Sequence, residues 1–129
     1  MTMLALRNPH EAYRRVDFDA RVAGADTANL VGLCYESAAT AMSRALHAHG
    51  AGDNHAKSQA LTRALAAITA LQLGVGGDQA VAGSLRQFYG GVRKTLLDSA
   101  LAFDAEAIAS VRSDLLEIAA ALMTAKADS

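Results

Sequence analysis

Apolar positions recur along this chain with the 3.6-residue period of a helix. After Asp26, the residues Leu30, Leu33, Cys34, Ala38, Ala41, Met42, Ala45 and Leu46 fall on one face, predicting a helix to about His49. Gly50-Ala51-Gly52 reads as its stop. Asp53 or Asn54 then caps a helix that turns Leu61, Leu65, Ile68 and Leu71 inward and ends at Gly74. The run Gly74-Val75-Gly76-Gly77 reads as a loop. Asp78 caps a further helix carrying Val81, Leu85, Phe88, Val92, Leu96 and Ser99 at steps of three and four. Asp104 caps the last, where Ile108, Val111, Leu115, Ile118 and Leu122 step 3-4-3-4, the seam of an antiparallel bundle. Upstream, Asn8-Pro9-His10-Glu11 is a start signal: Asn8 as N-cap, Pro9 at the first helical position and Glu11 three residues on. It opens a short helix to about Phe18, followed by a connector over Arg21–Ala25. The reading is all-α: an antiparallel up-down-up-down four-helix bundle, with an additional short N-terminal helix. Residues 1–129 form a single domain, with 1–7 and 125–129 expected to be disordered.

Composition sharpens this picture. The chain holds 30 Ala and 16 Leu against 7 Val and 3 Ile, so helix formers dominate and strand formers are scarce. Its one proline, Pro9, bars nothing downstream from helix. An Ala-rich core buries little area per residue, so the helix backbones must come close together. Acids number 13 and Lys plus Arg 12, for a net charge of -1. That balance argues against a nucleic-acid surface and against a polybasic membrane patch. No stretch of 18 apolar residues is present, so no membrane insertion is expected. The opening MTMLALRNPHEAYRR has too short an apolar run for a secretory signal. The single cysteine, Cys34, excludes an intramolecular disulfide and fits a reducing compartment.

Chemistry-bearing residues are sparse. The histidines are His10, His47, His49 and His55; His47 and His49 point to different helix faces, and no Glu precedes a His by three. They read as solvated side chains, and no metal site is expected. The Gly74–Gly77 loop follows a helix and lacks the Lys of a phosphate-binding loop. Cys34 reads as a buried small hydrophobe. The 13 carboxylates sit mostly at caps and on polar faces, with no pair set for acid/base work. No catalytic residue, cofactor or enzymatic activity is expected.

Two features go beyond a bare bundle. Gly83, Gly90 and Gly91 each cost about 1 kcal/mol in a helix interior, and serve either close helix approach or local loosening. Apolar residues also lie beside the main seams: Val31, Tyr35, Leu73, Tyr89, Leu97, Leu101, Leu116 and Met123. Such second stripes are either further core walls or a groove for a partner's amphipathic helix. In the second case an uncovered apolar channel is expected between the helices that start at Asp26, Asp53 and Asp78.

Four local patterns, in order, resemble the flagellar secretion chaperones of bacteria, the flagellin-binding export chaperones. NPHEAY (Asn8–Tyr13) is similar to that family's Asn-Pro-Tyr-x-x-Tyr opening. DTANLVGLCYESA (Asp26–Ala38) is similar to Ser-Pro-x-x-Leu-x-x-x-Leu-Tyr-Asp-Gly-Ala, with Tyr35, Glu36 and Ala38 on the Tyr, the acid and the Ala. SLRQFY (Ser84–Tyr89) resembles Asn-Leu-x-x-Leu-Tyr, and Leu101, Asp104, Ile108, Val111 and Leu115 follow the order of the last helix. Departures include His10 for the first Tyr, Asp26-Thr27 for Ser-Pro, Ser37 for Gly and Leu122 for an aromatic. The resemblance implies a non-catalytic, cytoplasmic chaperone whose client is the disordered C-terminal segment of flagellin. An alternative is a helical adaptor for another flagellar export or anti-sigma component, and a homo-oligomer is also open. The expected partner-binding residues are His10 and Tyr13 in the opening segment, Tyr35, and then Leu85, Phe88, Tyr89 and Val92. Tyr13 either caps a groove until the client arrives or packs the first helix permanently.

Overall fold

A computed structural model describes residues 27–75 and 80–128, with side chains at 30–75 and 82–121. It contains four α-helices and, among the described residues, no strand: α1 Thr27–Gly50, α2 Asn54–Gly74, α3 Ala80–Leu101 and α4 Ala105–Asp128. They are 24, 21, 22 and 24 residues long, as the periodicity predicts. The chain divides into two units, Met1–Leu33 and Cys34–Ser129, and the packing below is that of the second. The expected first helix, its cap Asn8, the caps Asp26 and Asp78, and the site residues His10 and Tyr13 lie outside the described residues.

The two turns with described chemistry follow local rules. At the end of α1, Gly52 adopts φ +70, a left-handed conformation that favours glycine. Its N–H donates to the His49 carbonyl at 3.1 Å, and the Asp53 N–H donates to the Ala48 carbonyl at 2.9 Å. These paired bonds are the Schellman closure of a helix C-terminus, so Gly52 carries the stop. Asp53 then caps α2: its Oδ1 accepts from the Ala56 N–H at 3.0 Å. At the second turn Asp104 caps α4 in the same way, accepting from the Ala107 N–H at 3.0 Å. The Asp104 N–H makes a long bond to Ser99 Oγ at 3.4 Å, which gives that buried hydroxyl a partner. α4 runs as helix through Asp128.

Small residues set the packing. α1 buries Ala38, Ala41, Ala45 and Ala48 with Met42, and α2 buries Ala60, Ala64 and Ala67 with Leu61, Ile68 and Leu71. α3 contributes Tyr89, Val92 and Leu96, and α4 contributes Ile108 and Leu115. Alanines at these steps let backbones approach, while each fully buried large side chain contributes about 1.5–3 kcal/mol. Arg112 joins α4 to α1: its Nε donates to Ser43 Oγ at 2.6 Å, and that hydroxyl donates to the Ala39 carbonyl at 3.1 Å.

Among the described residues, the glycines of α3 are not needed for close helix contact. A Cβ added at Gly83 or Gly91 meets nothing within 4 Å, and one at Gly90 only touches Gln72 Nε2 at 3.7 Å, an ordinary contact. The packing reading of these three residues is therefore set aside.

Candidate functional site

Tyr35 and Tyr89, both expected to touch a partner, are 2% exposed. Their hydroxyls hydrogen-bond to each other at 2.6 Å and their rings tilt at 60° with centroids 6.1 Å apart. The pair lets α1 and α3 bury two phenols with neither hydroxyl left unpaired. Burial pushes the Tyr35 phenol well above the ordinary tyrosine range, and its hydrogen bond and charge interaction with Tyr89 add to the rise. Burial also raises Tyr89; the bond to Tyr35 offsets part of this, and neighbouring Cys34 adds to it. The buried Cys34 thiol is raised by burial too. All three groups therefore stay neutral near pH 7.

The remaining described candidates lie along α3 around this pair. Val92 is buried one turn on from Tyr89. Phe88 is half-buried, its ring centroid 5.8 Å from that of Tyr89, and Leu85 is half-buried one turn earlier. The structure thus gathers Tyr35, Phe88 and Tyr89 into one aromatic cluster, of which only Phe88 reaches the surface.

The second apolar stripe divides. Tyr35 and Tyr89 go inside, whereas Leu73, Leu97, Leu101 and Leu116 are 82%, 42%, 92% and 44% exposed. Leu97 and Leu101 border an open cleft of about 320 Å³ between the start of α2 and the end of α3. α2 lines it with Asn54, Lys57, Ser58, Leu61, Thr62 and Leu65, residues three and four apart on one helix face. α3 and the turn beyond it supply Leu96, Leu97, Ser99, Ala100, Leu101 and Phe103. The channel was expected between the helices starting at Asp26, Asp53 and Asp78; this cleft is lined from the second and third alone, and none of Tyr35, Leu85, Phe88, Tyr89 and Val92 is among its lining residues.

One end of the cleft carries a cluster that the residue pattern did not reveal. The His49 ring stacks on Phe103 with centroids 4.3 Å apart and planes 25° apart. Lys57 Nζ lies 5.0 Å from the centre of the Phe103 ring and 3.2 Å from His49 Nδ1. His49 is exposed, as expected, yet held. The available signal was the α2 stripe, which changes from polar at Asn54, Lys57 and Ser58 to apolar at Leu61 and Leu65.

Among the described residues, no group of three or more His, Cys, Asp or Glu is placed to hold a metal ion. No described helix is long and apolar enough to cross a membrane. The cleft is apolar along its middle and carries the Lys57 ammonium at one end. No curated protein matches the chain. The flagellar protein FliS family matches residues 9–128, so the chain belongs to that family of flagellar export chaperones, whose function is to bind flagellin.

Proposed function

We propose that this protein is a non-catalytic, cytoplasmic export chaperone that takes the C-terminal segment of flagellin as helices into apolar surface grooves. Held there, the client is kept from polymerising before delivery to the export apparatus. The observation that carries the reading is the α2–α3 cleft with its exposed rim, Leu97 and Leu101. A segment with apolar helical faces is an aggregation hazard when free, and a groove of this kind removes those faces from water. Ordering the client lowers affinity per unit area, but a client wrapped over several grooves compensates with extent.

In this reading the helices run up-down-up-down and antiparallel, behind a short N-terminal helix. Gln72 beside Gly90, with Leu61 and Leu65 lining the same cleft as Leu96 and Leu97, supports that direction for α2 and α3. Leu85 and Phe88 touch the client from the half-buried face of α3. Tyr35, Tyr89 and Val92 back that face from inside, and Tyr13 with His10 covers a groove until the client displaces them. Mixing the protein with a flagellin C-terminal peptide tests the proposal. A gain in helix by circular dichroism and a 1:1 complex are expected; no binding at micromolar concentration would overturn it.

A further inference from the structure

The α2–α3 cleft is not symmetric along its length, and the asymmetry specifies how an occupant lies in it. Its middle is apolar, walled by Leu61 and Leu65 on one side and Leu96 and Leu97 on the other. Its end at the two turns holds the Lys57 ammonium. That ammonium rests 5.0 Å above the Phe103 ring and 3.2 Å from His49 Nδ1. The stem is therefore already positioned, while the charge is met by a ring face and one imidazole nitrogen. A carboxylate arriving there gains a charge-assisted hydrogen bond at little cost in side-chain order.

A helix lying in the cleft has unpaired carbonyls and a partial negative charge at its C-terminal end. That end complements Lys57, and the opposite end would repel it. From this charge complementarity we infer that the cleft reads the direction of its occupant. An amphipathic helix lies with its apolar face on the leucines and its C-terminal end, with the carboxylate there, against Lys57. The inference rests on the client reading above, whose client is the end of a chain and so carries a terminal carboxylate. Lys57 is then a specificity-determining residue, and Phe103 with His49 positions it.

The test uses the full chain and a flagellin C-terminal peptide made twice, with a free terminal carboxylate and as the amide. Fluorescence anisotropy is expected to show the free acid binding about three- to tenfold tighter, with the margin shrinking as salt rises. Lys57→Met is expected to erase the margin between acid and amide, and Lys57→Arg is expected to keep it. A nitroxide at the peptide's last residue is expected to broaden amide resonances of residues 54–58 and 103 more than those near Leu65. Equal affinity of acid and amide for the parent protein, or a margin that survives Lys57→Met, overturns the inference while leaving the client reading intact. Failure of both peptides to bind the parent overturns the client reading, and this inference with it. The acid–amide comparison on the parent needs no variant to fold.

Discussion

The two places where α3 carries extra apolar surface have opposite fates. At its middle, Tyr89 turns inward onto Tyr35 and both are 2% exposed; near its end, Leu97 and Leu101 are 42% and 92% exposed. In the first case the helices use the surplus on each other, with a hydroxyl pair that needs no water. In the second the surplus stays in solvent beside an open cleft and contributes little to the folded state. A side chain that stabilises the fold and one that is available to a partner therefore differ in rotation about the helix axis, not in residue type.

The largest effect expected from this contrast belongs to Tyr89. Replacing it with Ala removes a buried ring and leaves the Tyr35 hydroxyl without its partner. We expect a loss of about 3–5 kcal/mol in urea unfolding. A loss below about 1 kcal/mol would mean that the aromatic pair does not seal the interior. Next comes the cleft rim. Leu101→Ala is expected to leave unfolding within about 0.5 kcal/mol of the parent, because the side chain is solvated. The same change is expected to weaken peptide binding about tenfold, through the apolar area no longer buried in the complex. The reverse pattern, a destabilised fold with unchanged binding, would place Leu101 with the interior residues.

Much of the architecture was legible because it depends on short-range chemistry. Asp53 and Asp104 cap because an aspartate before a helix finds the N–H three residues on, whatever the tertiary fold. The stop at Gly52 needs only a left-handed residue, and Ile108 and Leu115 are buried where their seam spacing put them. The division of the second stripe was not legible. Tyr35 and Leu97 both flank a main seam, and only the pairing of helices decides which flank is covered. The Lys57, His49 and Phe103 cluster escaped for a related reason: it joins two turns, and nothing in the spacing around His49 points to Phe103. Val111 and Ile118 were expected inside but are half-buried, so the α4 seam is partly open.

Alkaline pH gives a smaller effect that also separates the two regions. Tyr35, Tyr89 and Cys34 have folded-state values raised above their ordinary 10.0, 10.0 and 9.0, chiefly by burial. An acid whose folded value is raised keeps its proton longer in the folded protein. Its contribution is fully present below the unfolded value and is lost as pH rises beyond it. Unfolding free energy is therefore expected to be flat on this account below about pH 8. It should then decline by at most about 1.4 kcal/mol per pH unit for each group as pH passes 9 to 10. Lys94, whose ammonium Asp98 holds at 2.8 Å and keeps charged above the ordinary lysine value, adds its own loss at higher pH, so the parent is compared with a Tyr35→Phe, Tyr89→Phe variant. The variant should show the shallower decline, whereas Leu101→Ala should follow the parent. Identical slopes for parent and double variant would mean that the phenols ionise as readily in the fold as out of it.

The smallest expected effect is a gain. Gly91 is exposed on α3 and an added Cβ there meets nothing within 4 Å, so alanine fits the backbone as it stands. Alanine also narrows the unfolded chain's freedom, and Gly91→Ala should stabilise the protein by about 0.5–1 kcal/mol. Gly91 lines neither the cleft nor the tyrosine pair, so peptide affinity should not change. Measuring both quantities sharpens the contrast between inner and outer faces. A stability gain with a loss of binding would show that the client runs over the glycine face of α3 as well as the leucine rim. The bare backbone at Gly91 would then be a contact surface, and the site would extend around the helix beyond the cleft.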